Sequence, residues 1–222
     1  MKVNSKLIVC ISLILLFQNI STQELSLKEY LENINTIKAD FIQTNYSVSN
    51  AMINQSNGRI KIKKPHHLIW DIKQPFVKKI ILHQDKLSIF DSQLNQLLIS
   101  SLPIEAYDSF LILLLRNASI LNFYSIEKID TDDSEVLFSL ISNTRGNSFE
   151  RINISILNGI LNKLTFVDSK NESLEIKLIN ASINTNLSNN EFVFNPPKNT
   201  EIIDQSNDWL FSKFIQRHSE FY

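Results

Sequence analysis

Gly58-Arg59-Ile60-Lys61-Ile62-Lys63-Lys64-Pro65-His66-His67-Leu68-Ile69-Trp70-Asp71-Ile72-Lys73-Gln74-Pro75 is the stretch that decides the fold class. Ile60 and Ile62 alternate with Arg59, Lys61 and Lys63, the period of two that strands impose on side chains. Leu68, Trp70 and Ile72 share one face of the next strand, which Pro75 ends because proline brings no N–H to a ladder. Asn57-Gly58 just ahead reads as a hairpin turn, and Asn158-Gly159 repeats the signal downstream.

Working upstream, Ile42, Thr44, Tyr46 and Val48 alternate with polar neighbours, so the period of two is expected from Ala39 onward. Before it, Leu27, Tyr30, Leu31, Ile34 and Ile37 form one stripe at helical spacing, and Ser26-Leu27-Lys28-Glu29 has capping-box form. Downstream, residues 77–82 and 87–90 read as two more strands. Residues 103–116 (PIEAYDSFLILLLR) place proline at a start and a dense apolar block behind it, which predicts a helix. Alternation resumes at 123–129, 136–141, 149–157, 160–167, 174–183 and 192–194. Ten or eleven short strands with regular turn signals predict a meandering antiparallel sheet or barrel, in one domain.

Residues 1–6 are a short basic head, 7–17 an almost unbroken apolar run and 18–23 a polar, small-residue stretch. That order predicts a signal peptide over residues 1–22, cut after Ser21 or Thr22; the alternative is an uncleaved anchor, although the run falls short of the roughly 20 residues a span needs. Cys10, the only cysteine, lies in that run behind Val9, which is not the small residue that acylation requires. The exported chain is therefore expected to lack thiols, which excludes disulfides, thiolate metal sites and cysteine nucleophiles.

Chemistry is sparse. A formal charge of −1 gives no pull toward nucleic acid. Three glycines, each in a predicted turn, leave no loop to cradle a phosphate. His66 and His67 are adjacent, His83 and His218 are isolated, and no metal-ligand spacing appears, so neither metal nor cofactor is expected. No G-x-S-x-G elbow exists, and Asp130-Thr131-Asp132-Asp133 reads as a solvated turn. Two carboxylates distant in the chain, as in a glycosidase, stay open. The block at 109–115 is apolar all round, as a core helix or as the cover of an apolar cavity.

Several segments together resemble one family. Ile37-Lys38-Ala39-Asp40-Phe41-Ile42-Gln43 is similar to the helix-to-strand passage of the LolA family, the outer-membrane lipoprotein carriers. Gly58-x-Ile60-x-Ile62-x-Lys64-Pro65-x-x-Leu68-x-Trp70 through Gln74-Pro75 resembles its best marker. Leu87, Phe90, Asp91, Leu94 and Gln96, then Phe110 through Arg116-Asn117, and Phe192-x-Phe194-x-Pro196-Pro197 follow in order. The resemblance implies a mainly β fold with some α: an incomplete, strongly curved antiparallel β-barrel covered by a few helices acting as a lid. It implies a periplasmic, non-enzymatic monomer whose cargo is the acyl chains of outer-membrane lipoproteins. These would be taken from an inner-membrane ABC exporter and passed to an outer-membrane receptor.

By the same resemblance, Leu68, Trp70, Ile72 and Phe90 would line the acyl-chain cavity, with Leu111, Ile112 and Leu114 on the lid's inner face. Ordinary core packing is the other reading of each. Trp70→Glu would then abolish cargo binding and leave the fold largely intact. The family's lid-latching arginine, bonded to backbone carbonyls, corresponds to Lys64, which offers a flexible point charge in place of a planar fork; a solvated surface lysine is the alternative. Ser88 and the pair His83-Gln84 depart from the family pattern. The carrier domain would cover 23–204. An extension, 205–222, places Leu210, Phe211, Phe214 and Ile215 on one helical stripe, for packing on the barrel, docking on a membrane partner or plugging the empty cavity. An anchored receptor of similar fold and a periplasmic hydrolase with dispersed groups are the competing functions.

Overall fold

The computed structural model describes residues 26–84, 86–101, 115, 118–130, 134–144 and 147–206. The expected signal peptide, most of the helix at 103–116 with Leu111, Ile112 and Leu114, and nearly all of the C-terminal extension lie outside them. One helix, α1 (Leu27–Asn33), precedes β1 (Thr36–Tyr46), β2 (Met52–Lys63), β3 (His67–Gln74), β4 (Lys78–His83), β5 (Lys86–Asp91) and β6 (Gln96–Ser101). A 3-10 turn, Ala118–Phe123, leads into β7 (Tyr124–Asp130), β8 (Glu135–Ser142), β9 (Arg151–Leu157), β10 (Ile160–Val167) and β11 (Ser173–Ile183). A second 3-10 turn, Asn189–Phe192, precedes β12 (Glu201–Gln205).

Among the described residues these twelve strands form one sheet, ordered β12-β6-β5-β4-β3-β2-β1-β11-β10-β9-β8-β7. Its ends, β12 and β7, are not paired with each other, so the sheet is curved and open, a barrel left incomplete. The mainly β expectation holds. Neighbouring pairs are antiparallel except β12, which joins β6 in parallel. β1 and β3 flank β2, and the rings of Phe41 and Trp70 meet across it with centroids at 4.1 Å. Gly58, in register with both Phe41 and Ile72, leaves the gap they close across.

Asn57-Gly58 is therefore not a turn, contrary to expectation. It lies inside β2 at a register shift, where an added Cβ would sit 2.0 Å from the Asp71 carbonyl oxygen. The β1–β2 reversal is at 47–51, closed by Ser47 N–H donating to Ala51 O (2.9 Å) with Asn50 at φ 59°. Asn158-Gly159 does turn, at φ 51° and 75°. The chain more generally turns on asparagine: Asn50, Asn95, Asn158, Asn171, Asn184 and Asn199 all have positive φ, as does Asn180 at the bulge inside β11, a backbone state that asparagine tolerates better than most residues.

Further differences concern element ends. The helix stops at Asn33 and the strand begins at Thr36, so Ile37 is a strand residue and the period changes earlier than Ala39. Ser26 makes no side-chain cap, whereas Glu191 accepts from Ser188 N–H (3.1 Å) at the second 3-10 turn. Residues 192–194 are not a strand, since the chain is crossing the outside of the sheet there; β6 and β12 are strands the sequence reading omitted.

Register divides the buried side chains between two faces. On the inner face lie Phe41, Ile60, Ile62, Leu68, Trp70, Leu82, Phe138, Leu140, Ile152, Ile154, Leu164, Phe166, Ile176 and Leu178 in one continuous cluster. Ile81, Phe90 and Leu97 are buried separately on the outer face, beneath residues 184–200, which contribute buried Leu187 and Phe192 as they run from β11 to β12.

Candidate functional site

The inner face is an apolar trough. Ile62, Leu68, Leu82 and Leu87 line up across β2 to β5, and Ile60, Trp70, Ile80 and Ile89 form the next row. On the other limb Leu174, Phe166, Ile152 and Leu140 cross β11 to β8, with Ile176, Leu164, Ile154 and Phe138 beside them. Alternation along the strands, reset at the register shifts of the β1–β11, β2–β3 and β9–β10 pairs, places these residues inward and Lys61, Lys63 and Lys79 outward.

Above the trough sit Leu27, Tyr30 and Leu31 of α1, then Ile34, Leu115, Leu121 and Tyr124, all in the same cluster. Tyr30 brings its hydroxyl into this layer. No acceptor among the described residues meets it in full hydrogen-bond geometry; burial pushes its phenol up to about 12, and the Leu161 backbone compensates only in part.

Two polar ties hold the C-terminal end of α1, where helix carbonyls lack partners and the dipole is negative. Lys64 Nζ donates to Leu31 O (2.5 Å). Burial pushes the Lys64 ammonium below its ordinary range, and Glu32 opposes that shift. Asn184 supplies the second tie: its Nδ2 donates to Asn33 O (2.9 Å), and its Oδ1 accepts from Asn35 N–H (2.7 Å). Lys64 therefore bonds a backbone carbonyl of the covering helix. Asn184 escaped the sequence reading; its signal is an asparagine directly after a long alternating run, the position that ends β11 at φ 56°.

The other expected residues divide. Leu68, Trp70 and Ile72 face the trough together, Leu68 and Trp70 fully buried and Ile72 partly. Phe90 does not join them. Because Lys79 pairs with Phe90 and Ile80 with Ile89, the residues of β5 that face inward are Leu87 and Ile89. Phe90 packs on the outer face against Phe194, ring centroids 5.2 Å apart, with Lys79 Nζ 5.0 Å from the same Phe194 ring. The alternation across β4 and β5 could have revealed this. Trp70 is 1 % exposed and its ring lies tilted against Phe41, so a glutamate there would strand a carboxylate in the core, and Trp70→Glu is expected to destabilise the fold as well as the trough.

Comparison with known proteins agrees with this architecture. An outer-membrane lipoprotein carrier protein of Francisella tularensis is 28% identical over 179 residues, 79% of this chain and 85% of its own length. Its counterpart in Pseudomonas entomophila is 24% identical over 180 residues, 81% and 86% of the two chains. A crystal structure of an uncharacterized conserved protein from Thermus thermophilus shares the fold at TM-score 0.52 and 13% identity, covering 80% of this chain and 94% of that one. The family described as outer membrane lipoprotein carrier protein LolA matches residues 32–195, most of the trough and its ties, and the chain belongs to that family.

Proposed function

We propose that this protein carries lipoproteins by taking their acyl chains into the inner trough, beneath a covering that lifts. The carrying observation is an apolar face that runs from β5 to β8 and meets the apolar side of α1, a helix whose C-terminal end is held by the Lys64 and Asn184 side chains. Lifting α1 exposes Leu27, Leu31 and Ile34, at about 1.5–3 kcal/mol each, or roughly 5–9 kcal/mol in all. A sixteen-carbon chain entering the trough returns about 0.8 kcal/mol per methylene, or roughly 12 kcal/mol if fully sheltered. Opening and filling are of similar size. Cargo can therefore enter and also leave, which a carrier needs and a permanent binder does not.

In this reading the chain is exported to the periplasm, receives lipoproteins from an inner-membrane ABC exporter and delivers them to an outer-membrane receptor. The names of the relatives and the family support the cargo class; the two membrane partners follow from the direction that such transport must take. Lys64 and Asn184 are the latch, and Leu68, Trp70 and Ile72 belong to the lining. The test is photo-crosslinking from a benzophenone side chain placed at Ile72 or Ile80, both partly buried on the inner face. Periplasmic protein should crosslink to acylated polypeptides there and not from Ile202 on the exposed edge. Equal labelling at all three positions, or none with acylated protein, defeats the carrier reading.

A further inference from the structure

Residues 184–200 form a strap across the outer face, and its fastening is unusual in charge. Lys63 Nζ donates to Leu187 O (2.9 Å) and Asn189 Oδ1 (2.7 Å), and Lys61 Nζ bonds Glu191 Oε2 (2.9 Å). Phe192, fully buried, closes on the imidazole of His67 with centroids 5.3 Å apart. His67 in turn meets His83 edge-on at 4.9 Å, and His83 Nδ1 is buried with no partner among the described residues. Two imidazoles, a lysine already committed to the strap and a phenyl ring thus share one site.

We propose that this site is a pH-responsive clasp: a proton on His67, between Lys63, His83 and Phe192, loosens the strap from the outer face. Among the described residues, the charged or titratable neighbours are cations and imidazoles with one exception. β2 brings Lys63 and Lys61, the β2–β3 turn brings His66, β4 brings His83, and Lys86 of β5 stands cross-strand from His83. The sole carboxylate of the 3-10 turn, Glu191, is held by Lys61. A charged imidazole would gain something from the Phe192 ring, but burial, then His83, Lys63 and His66, hold His67 below the usual imidazole range. Those costs outweigh the ring.

The sign follows from linkage. With the strap lifted, His67 regains water and titrates near the ordinary value of about 6.5. The open state then binds the proton more readily, so closure is fully favoured above that value and weakens as pH falls through the lower closed-state value. Release would uncover Ile81, Phe90 and Leu97 and untie the link between β11 and β12, two strands on opposite sides of β1–β6.

The proposal stands apart from the cargo question, since its readout contains no cargo. Hydrogen exchange of the full chain, corrected for intrinsic chemistry, should show amides of 187–194 losing protection several-fold between pH 7.5 and 5.5. His67→Phe keeps a ring against Phe192 without a proton to gain, and its strap should stay protected at both pH values. An unchanged wild-type strap, or equal loss in His67→Phe, overturns the clasp. On the unsubstituted chain, NMR titration should place the His67 midpoint below the ordinary imidazole value of about 6.5; a midpoint at or above it overturns the clasp whatever the variant does.

Discussion

At the residue scale, burial separates side chains that sequence treats alike. Phe90 and Trp70 are both large aromatics in neighbouring alternating runs, yet only Trp70 faces the trough, because one position of register flips a strand's side chains to the other face. Tyr30 shows the opposite tension: helical spacing placed it on the buried stripe correctly, but its hydroxyl finds no full partner there. Leaving such a group unsatisfied costs about 1–3 kcal/mol. Tyr30→Phe is therefore expected to stabilise the unloaded protein by about 1 kcal/mol, raising the melting temperature by roughly 2–4 °C. A melting temperature lowered by the change would mean that the hydroxyl is well bonded in solution.

At the element scale, legibility tracked locality. The strands of the 67–74 and 160–167 regions were readable because alternation and turn residues lie within a few positions of each other. Strand β12 was not, since its pairing partner, β6, is about a hundred residues away and its five residues show no clear alternation. Asn57-Gly58 misled because glycine there answers a close approach by β3, a tertiary demand that the dipeptide does not announce. Gly58→Ala should accordingly cost about 3 kcal/mol or more by forcing β2 and β3 apart, measurable by denaturant unfolding. If alanine is tolerated within about 0.5 kcal/mol, the approach is looser than described. At α1 the two ties are separable. Lys64→Gln should lose about 1–2 kcal/mol, a charge-assisted bond to a helix carbonyl. Asn184→Gly keeps the positive φ and loses only side-chain bonds, about 1 kcal/mol. Their effects should fall short of simple addition if both ties restrain the same helix end, and a double-mutant cycle by thermal unfolding reads that directly.

At the scale of the whole molecule, the proposal that cargo enters the trough beneath α1 makes stability and cargo affinity opponents. A carrier whose binding-competent state is open has an apparent dissociation constant equal to the intrinsic one divided by the open fraction. Each 1.4 kcal/mol removed from closure raises that fraction tenfold while opening remains rare. Lys64→Gln and Asn184→Gly should therefore melt earlier and yet bind a fluorescent fatty-acid probe more tightly than the parent. Tyr30→Phe should melt later and bind more weakly. The slope matters as much as the sign. If closure is α1 seating on the trough, the logarithm of affinity should fall in proportion to the stability of that seat across all three variants. Gly58→Ala, which acts within the sheet and not on the roof, should fall off the line. A set in which affinity ignores the latch and follows global stability alone would show that cargo enters by some route other than beneath α1.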